Sequence, residues 1–243
     1  MSRVSRFRPE GTVVMRPQWS NLLFLHWEFA PEAVQKLLPA GLELDLYEGR
    51  AYVGLVPFQM AEVRPHFIPD LKQYGHFHSR FPELNVRTYV VRDGVPGVWF
   101  FSLDAASSLA VITARLWFNL PYFKARMRVH ETAAGFDYWS KRLWPAPFEA
   151  TCRVRYQPTG PQQACEPNSL EEFLVERYVL YSKRGNQLFR GRVFHEPYKV
   201  GTAQVGSLRE SCLQAAGFER PAQQPHVLFS PGVDVEIWGI EKC

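Results

Sequence analysis

Apolar and polar residues alternate with a period of two in many short segments of this chain. Residues 42–46 alternate in this way, and an apolar run at 51–60 follows the turn residues Glu48 and Gly49. Such alternation is typical of strands, so this region predicts a β-hairpin. Further strands are predicted at 19–29, 84–91, 97–103, 124–129, 135–139, 152–157, 178–182, 188–194 and 233–238, with one more within 197–208.

Three segments show helical spacing instead. A short helix is predicted at 31–38, and a second at 107–117, where Leu109, Ile112 and Leu116 share one face and Asp104 is expected to act as cap. Ser169 with Glu172 three residues later forms a capping box that opens a third helix over 170–176. Strands outnumber helices, and the aromatic content of 14% favours sheet. We therefore predict a β-rich α+β protein.

Length and composition fit one domain over residues 1–243, with 1–14 and about 220–232 peripheral. The net charge of +4 is spread along the sequence, so we expect no nucleic-acid partner. We find neither 18 consecutive apolar residues nor a secretory leader, and we expect no membrane association. The four cysteines are scattered without C-x-x-C spacing, which favours reduced thiols and a cytoplasmic location.

Several motifs occur in an order that is similar to a known family. They are Leu22-Leu23-Phe24-Leu25-His26-Trp27, Gly54-Leu55-Val56-Pro57-Phe58, Glu83-Leu84-Asn85-Val86-Arg87, Gly97-Val98-Trp99-Phe100-Phe101, Pro121-Tyr122 and Glu176-Arg177-Tyr178. Together they resemble the YqjF-like proteins, a largely uncharacterised group within the acetoacetate decarboxylase-like superfamily. The resemblance implies a closed or cone-shaped antiparallel β-barrel with a few peripheral helices and a small interior pocket. It also leaves open a homo-oligomer, since superfamily members commonly associate.

The decarboxylases of that superfamily carry an acidic residue, an arginine and a Pro-Lys-Lys whose first lysine attacks the substrate ketone. Glu83 and Arg115 stand at similar distances before Pro121 here, but the next residue is Tyr122. A phenol cannot form an imine, so this chain lacks the Schiff-base lysine at the matching position. Lys124, two residues further on, is the alternative nucleophile.

Polar residues on the predicted strand at 84–91 supply the candidate chemistry. Glu83, Asn85 and Arg87 alternate, so they share one strand face, which we expect to point into the barrel. In the functional interpretation Arg87 and Arg115 bind a carboxylate, Glu83 and Tyr122 form an acid/base pair, and Asn85 and His26 border the pocket. In the structural interpretation the charges form an ion pair or a wet face, with Leu84, Val86 and Tyr89 packed inward.

The expected ligand is therefore a small organic acid or carbonyl compound, without a cofactor. Whether the protein is an enzyme stays open at this point, because a non-catalytic binding or structural protein fits the missing lysine equally well. A third hypothesis is a cupin-like metal site at His76, His78 and Glu83, which have H-x-H-x4-E spacing. The glycines that flank that motif in cupins are absent, and we predict no metal site.

Overall fold

The structure, a computed structural model, describes residues 7–61, 80–145 and 149–243. The strands in these ranges are β1 (Val13–Met15), β2 (Gln18–Phe29), β3 (Glu43–Leu44), β4 (Ala51–Ala61), β5 (Phe81–Arg92), β6 (Val95–Ala105), β7 (Tyr122–Thr132), β8 (Gly135–Trp144), β9 (Thr151–Pro158), β10 (Gln163–Ala164), β11 (Val179–Arg184), β12 (Gln187–His195), β13 (Lys199–Val200), β14 (Ala203–Glu210) and β15 (His226–Lys242). The helices are α1 (Pro31–Gln35), α2 (Ser108–Trp117), α3 (Leu170–Val175) and α4 (Cys212–Ala215). The β-rich α+β prediction is confirmed.

Seven strands close into a ring by hydrogen bonding. Their order around the ring is β2, β4, β5, β6, β11, β12 and β15, and β15 pairs with β2 again. The ring is not wholly antiparallel as expected, because β6 pairs in parallel with β11. A crossover connection must return the chain in the same direction for such a pair, and α2, β7 to β10 and α3 lie in that connection.

The remaining large strands form a second layer. β7 pairs in parallel with β6, and β8, β9 and β14 continue the sheet outward from it. This extension packs back over the outside of the ring, because Leu25 of β2 and Leu55 of β4 share one apolar cluster with Met127 and Tyr138 of the extension. A separate apolar cluster lies on the inner face of the ring and takes residues from all seven of its strands. Both faces of β2, β4 and β5 are consequently buried.

One predicted strand pairing is wrong. The strand at 42–46 is reduced to β3, which pairs with β5 rather than β4, although Tyr47 and Arg50 still bridge the intervening turn. β4 is already paired on both edges by β2 and β5, so it has no edge left for β3. The tight turn between β5 and β6 is present: Asp93 and Gly94 have φ of 51° and 75°, as a type I′ turn requires.

Helix α2 lies within one residue of its expected bounds, but its cap differs from the expected one. The Ser107 hydroxyl accepts from the Ala110 N–H at 3.3 Å, so Ser107 is the cap. Asp104 instead forms a buried ion pair with Arg142, whose Nε lies 2.8 Å from Oδ1. The face that carries Leu109, Ile112 and Leu116 is exposed, and Val111 is the residue of α2 that is fully buried. Among the described residues no helix is long and apolar enough to cross a membrane.

Candidate functional site

One face of β5 lines the interior of the ring with polar side chains. Glu83 and Asn85 are buried there, Arg87 is partly buried, and Tyr89 belongs to the interior apolar cluster. Leu84 and Val86 face the other way, toward the second layer. The structural interpretation, which packed Tyr89 together with Leu84 and Val86, is therefore wrong on this point. Because side chains alternate along a strand, residue 89 lies on the same face as residue 87.

Glu83 forms the acidic end of this row and is 1% exposed. Its Oε1 accepts from the Tyr122 hydroxyl at 3.0 Å, and its backbone carbonyl accepts from the Tyr138 hydroxyl at 2.7 Å. Its Oε2 has no hydrogen-bond partner among the described residues. Burial raises the pKa of Glu83 to about 8, against hydrogen bonds from Tyr122 and Asn85 that lower it. A carboxyl group with such a pKa can both release and accept a proton near neutral pH.

Strand register explains why Tyr122 reaches Glu83. Asn85 pairs with Leu103 and Leu103 pairs with Tyr122, so these residues form one row across β5, β6 and β7. Burial raises the pKa of Tyr122 well above its usual value, and the neighbouring Glu83 carboxylate adds to this, so the phenol stays protonated. The next row consists of Glu83, Ala105 and Lys124, so Lys124 lies two strands away from Glu83 on the same face. The Lys124 ammonium donates to the Ala106 carbonyl.

Arg87 forms the basic end of the row and has no carboxylate partner among the described residues. Its Nη2 donates to the Leu174 carbonyl at 2.9 Å, while its buried Nε has no acceptor in the described part of the chain. Its guanidinium carbon lies 5.6 Å from the ring centre of Phe24 and 5.8 Å from that of Tyr89. Arg87 is thus a cation enclosed by aromatic rings.

A second arginine in the same region, Arg177, has a carboxylate partner. Arg177 donates to Asp45 Oδ2 at 2.5 Å and stacks over Phe173, 4.3 Å from its ring centre. Its neighbour Glu176 accepts from the Tyr198 N–H at 2.8 Å. The Glu176-Arg177-Tyr178 motif therefore has structural partners, whereas Arg87 has no carboxylate partner within the described ranges.

His26 lies beside Arg87 in its neutral form. Burial lowers the pKa of His26 well below 6.5, and the charge of Arg87 lowers it further. The Tyr89 hydroxyl donates its one proton to the Leu174 carbonyl at 2.6 Å, so the contact of 2.6 Å with His26 Nε2 requires Nε2 to be the donor. His26 Nδ1 is then an acceptor, and it is buried without a partner among the described residues.

Gly54 makes room for the His26 ring, which predicts the effect of a single added methyl group. A Cβ at Gly54 would lie 2.6 Å from His26 Nε2. Gly54→Ala should therefore displace the imidazole and lower the free energy of unfolding by about 1–3 kcal/mol. Urea denaturation at pH 7 measures this loss. Gly239→Ala is the matched control, because a Cβ at Gly239 meets nothing within 4 Å; equal stability of the two variants would refute the packing role.

Arg115 is not brought to the interior row. It is exposed on α2, where Nη1 donates to the Tyr122 backbone carbonyl at 2.7 Å and the guanidinium lies 5.7 Å from the Trp144 ring centre. The interior of the ring accordingly receives one of the two predicted anion anchors. Arg115 instead fixes the start of β7, directly behind Tyr122.

His195 and the two histidines of the metal hypothesis differ in what the structure describes. His195 is 2% exposed, its Nδ1 contacts the Glu196 carbonyl at 2.8 Å, and burial lowers its pKa to about 4, so it is a neutral interior residue. His76 and His78 lie outside the described residues. Within the described ranges no group of three or more His, Cys, Asp or Glu side chains is arranged to hold a metal ion.

Several site residues were missed from the sequence. Tyr89 could have been found from its period-two relation to Arg87, whereas the pairing of Asp45 with Arg177 joins residues 132 positions apart. The Leu174 carbonyl, which accepts from both Arg87 and Tyr89, comes from the last turn of α3. A backbone acceptor of this kind leaves no side-chain signal in the sequence.

Comparison with known proteins assigns the family. The family model DUF2071, described as an uncharacterized conserved protein, matches residues 16–234. The chain belongs to the DUF2071 family. This DUF2071 protein is also 36% identical over 234 residues to the uncharacterized protein YqjF of Bacillus subtilis (strain 168), covering 96% of this chain and 94% of that one. The YqjF-like resemblance is confirmed.

Solved structures place the DUF2071 protein in the acetoacetate decarboxylase-like fold. It matches the enduracididine biosynthesis enzyme MppR with a TM-score of 0.64 at 12% identity, covering 95% of this chain and 90% of that one. An acetoacetate decarboxylase-like enzyme from Sphingomonas wittichii RW1 matches with 0.62 at 11% identity, covering 96% and 94%. The acetoacetate decarboxylase of Legionella pneumophila matches with 0.58 at 12% identity, covering 97% and 91%. At these identities the similarity establishes the fold alone.

Proposed function

We propose that the ring interior binds a small organic acid that carries a carbonyl group, and that Glu83 exchanges a proton with the carbon beside that carbonyl. The observation on which this rests is Arg87, a guanidinium among aromatic rings without a carboxylate partner in the described residues. A desolvated cation is costly unless an anion compensates it. A ligand carboxylate supplies that anion and can accept two parallel hydrogen bonds from a guanidinium.

The acceptors and donors of the row define the rest of the ligand. Glu83 Oε2 and Asn85 Oδ1 are buried oxygen atoms without partners among the described residues. They lie on the same strand face as Arg87, and Asn85 stands between the other two. A compound with a carboxylate toward Arg87 and a polarised C–H bond toward Glu83 follows this order of groups, and Asn85 Oδ1 would accept from a donor group on such a compound.

The proposed chemistry is enolisation. The ionised Glu83 removes a proton from the carbon next to the carbonyl, the C–H electron pair moves to form the enolate, and the carbonyl oxygen takes the negative charge. Return of the proton from Glu83 restores the acid. Tyr122, which donates to Glu83 Oε1 at 3.0 Å, holds the carboxyl group in place during both steps.

This chemistry needs no imine. Tyr122 stands where the decarboxylases have their nucleophilic lysine, and the Lys124 ammonium donates to a backbone carbonyl. MppR has been solved with pyruvate bound, which supports 2-keto acids as the first compounds to test. Treating the protein with pyruvate and borohydride should add no mass; an adduct at Lys124 would replace enolisation by imine chemistry.

The decisive experiment follows pyruvate, 2-oxobutyrate and acetoacetate by proton NMR in D2O. The wild-type protein should speed the loss of the signal from the protons on the carbon next to the carbonyl. The same compound should raise the melting temperature of the protein. Neither exchange nor stabilisation with any of these acids would overturn the proposal. Stabilisation without exchange would favour the second candidate, a binding protein without catalysis, for which the missing Schiff-base lysine is the supporting observation.

A further inference from the structure

The outer face of the β7-β8-β9-β14 extension is strongly basic. Strand register puts Arg126 beside Lys141, Arg128 beside Trp139, and Arg153 beside Arg209. The outward residues with charge are the exposed bases Arg126, Arg128, Lys141, Arg153, Arg155 and Arg209, and the partly buried carboxylate Asp137. We call these residues the basic face. The summed charge of the basic face exceeds the net charge of +4 that the whole chain carries. Tertiary structure therefore concentrates the positive excess on this face.

Most of this charge is available to a partner. Asp137 binds Arg153, at 2.7 Å from Nη2, and Arg155, at 3.1 Å from Nε. The other four bases have no ion pair within the described residues. Acidic residues near the ends of these strands, Glu131 and Glu149, do not interrupt the rows of bases.

An exposed apolar group continues this surface. It consists of Leu109, Ile112, Leu116 and Trp117 of α2 with Leu143 and Trp144 at the end of β8. We call it the apolar edge. Leu143 points outward two residues after Lys141, and Arg115 joins α2 to β8 through the Trp144 ring. Leu109 is 76% exposed and Leu116 67%, values that are unusual for leucines in one helix.

We propose that the basic face and the apolar edge together dock on the surface of an anionic phospholipid bilayer. Headgroup phosphates and carboxylates match the four unpaired bases, and leucine and tryptophan side chains enter the boundary between headgroups and acyl chains. A nucleic acid would match the bases but leave the aliphatic side chains of the apolar edge without a partner. The combination of both surfaces therefore favours lipid. This differs from the sequence-based expectation of no membrane association, which considered only segments that span or cross a bilayer, and the site is independent of the ring interior.

Vesicle co-sedimentation tests this proposal with the full chain. We expect binding to vesicles of phosphatidylcholine with 30% phosphatidylserine in 0.1 M NaCl and none to phosphatidylcholine alone. Arg126→Glu/Lys141→Glu should lower the partition coefficient at least 25-fold, because each base near an anionic surface contributes about fivefold. Leu116→Ser should weaken the binding that persists in 0.5 M NaCl, where electrostatic attraction is screened.

Lys183→Glu/Arg184→Glu is the matched control, with the same charge change at the exposed β11 end. It should keep at least a third of the wild-type partition coefficient, and both double variants should retain the wild-type circular dichroism spectrum. The proposal is overturned if the wild type ignores the anionic vesicles, or if both double variants lose binding equally. Tight binding of a single-stranded oligonucleotide with no vesicle binding would overturn it in favour of a nucleic-acid surface.

Discussion

Arg87→Ala should weaken binding of a 2-keto acid by at least 30-fold in Kd, because the ligand carboxylate would lose its enclosed guanidinium partner. Truncating one member of a buried charge pair costs about 2–5 kcal/mol. The Leu174 carbonyl keeps its hydrogen bond from the Tyr89 hydroxyl at 2.6 Å, so the fold should survive. Isothermal titration calorimetry with the keto acid that gives the largest thermal shift measures the change.

Two further variants sharpen this result. Arg87→Lys keeps the charge but not the planar fork, and it should recover part of the affinity. Arg115→Ala removes an exposed arginine of the same chemical type and should change Kd less than threefold. If Arg115→Ala weakened binding and Arg87→Ala left it unchanged, the anion site would lie at α2 and the ring interior would lose its assigned role.

Glu83→Gln should abolish the proton exchange while making the protein more stable at alkaline pH. The folded pKa of about 8 lies above the ordinary value of 4.5, because burial favours the neutral acid. The contribution of Glu83 to stability is therefore complete below about pH 4.5 and is lost as the pH rises through 8. This loss amounts to several kcal/mol by pH 9, and glutamine, which stays neutral, should avoid it.

Urea denaturation of both proteins at pH 5 and pH 9 measures this difference. The curves should nearly coincide at pH 5, and the variant should be the more stable protein at pH 9. Exchange of the keto-acid proton should rise with pH toward about 8 in the wild type and fall by roughly 10²–10⁴-fold in the variant. Glu43→Gln, which neutralises an exposed carboxylate, is the control. A stability difference between wild type and variant that is the same at pH 5 and pH 9 would mean that Glu83 is ionised throughout.

Local patterns predicted most of the strands because alternation of side chains depends on near neighbours. The strands at 19–29 and 97–103 appear as β2 and β6 with ends shifted by one or two residues, and the capping role of Ser169 is present at 3.1 Å from the Glu172 N–H. The pattern underestimated β15, whose seventeen residues include Pro231 and Gly232 and were predicted as six. Pairing with β2, β12 and β1 keeps that segment extended despite its composition.

The candidate site was predictable in part. Glu83, Asn85 and Arg87 share a face by period alone, and Tyr122 follows from the motif comparison. The sequence could not separate Arg87 from Arg115, since both fit a carboxylate equally well as residue types. Helix α2 turns Arg115 outward, and β5 turns Arg87 inward.

The sequence by itself determined the strand-rich composition, the family and the presence of Tyr122 directly after Pro121, because each depends on residue identity and short spacing. Tertiary structure alone decided that Arg87 has no carboxylate partner among the described residues, that Asp104 pairs with Arg142 instead of capping a helix, and that dispersed arginines gather on one sheet face. Pairing of strands distant in the chain sets these outcomes, and charge and burial depend on the neighbours that such pairing brings together.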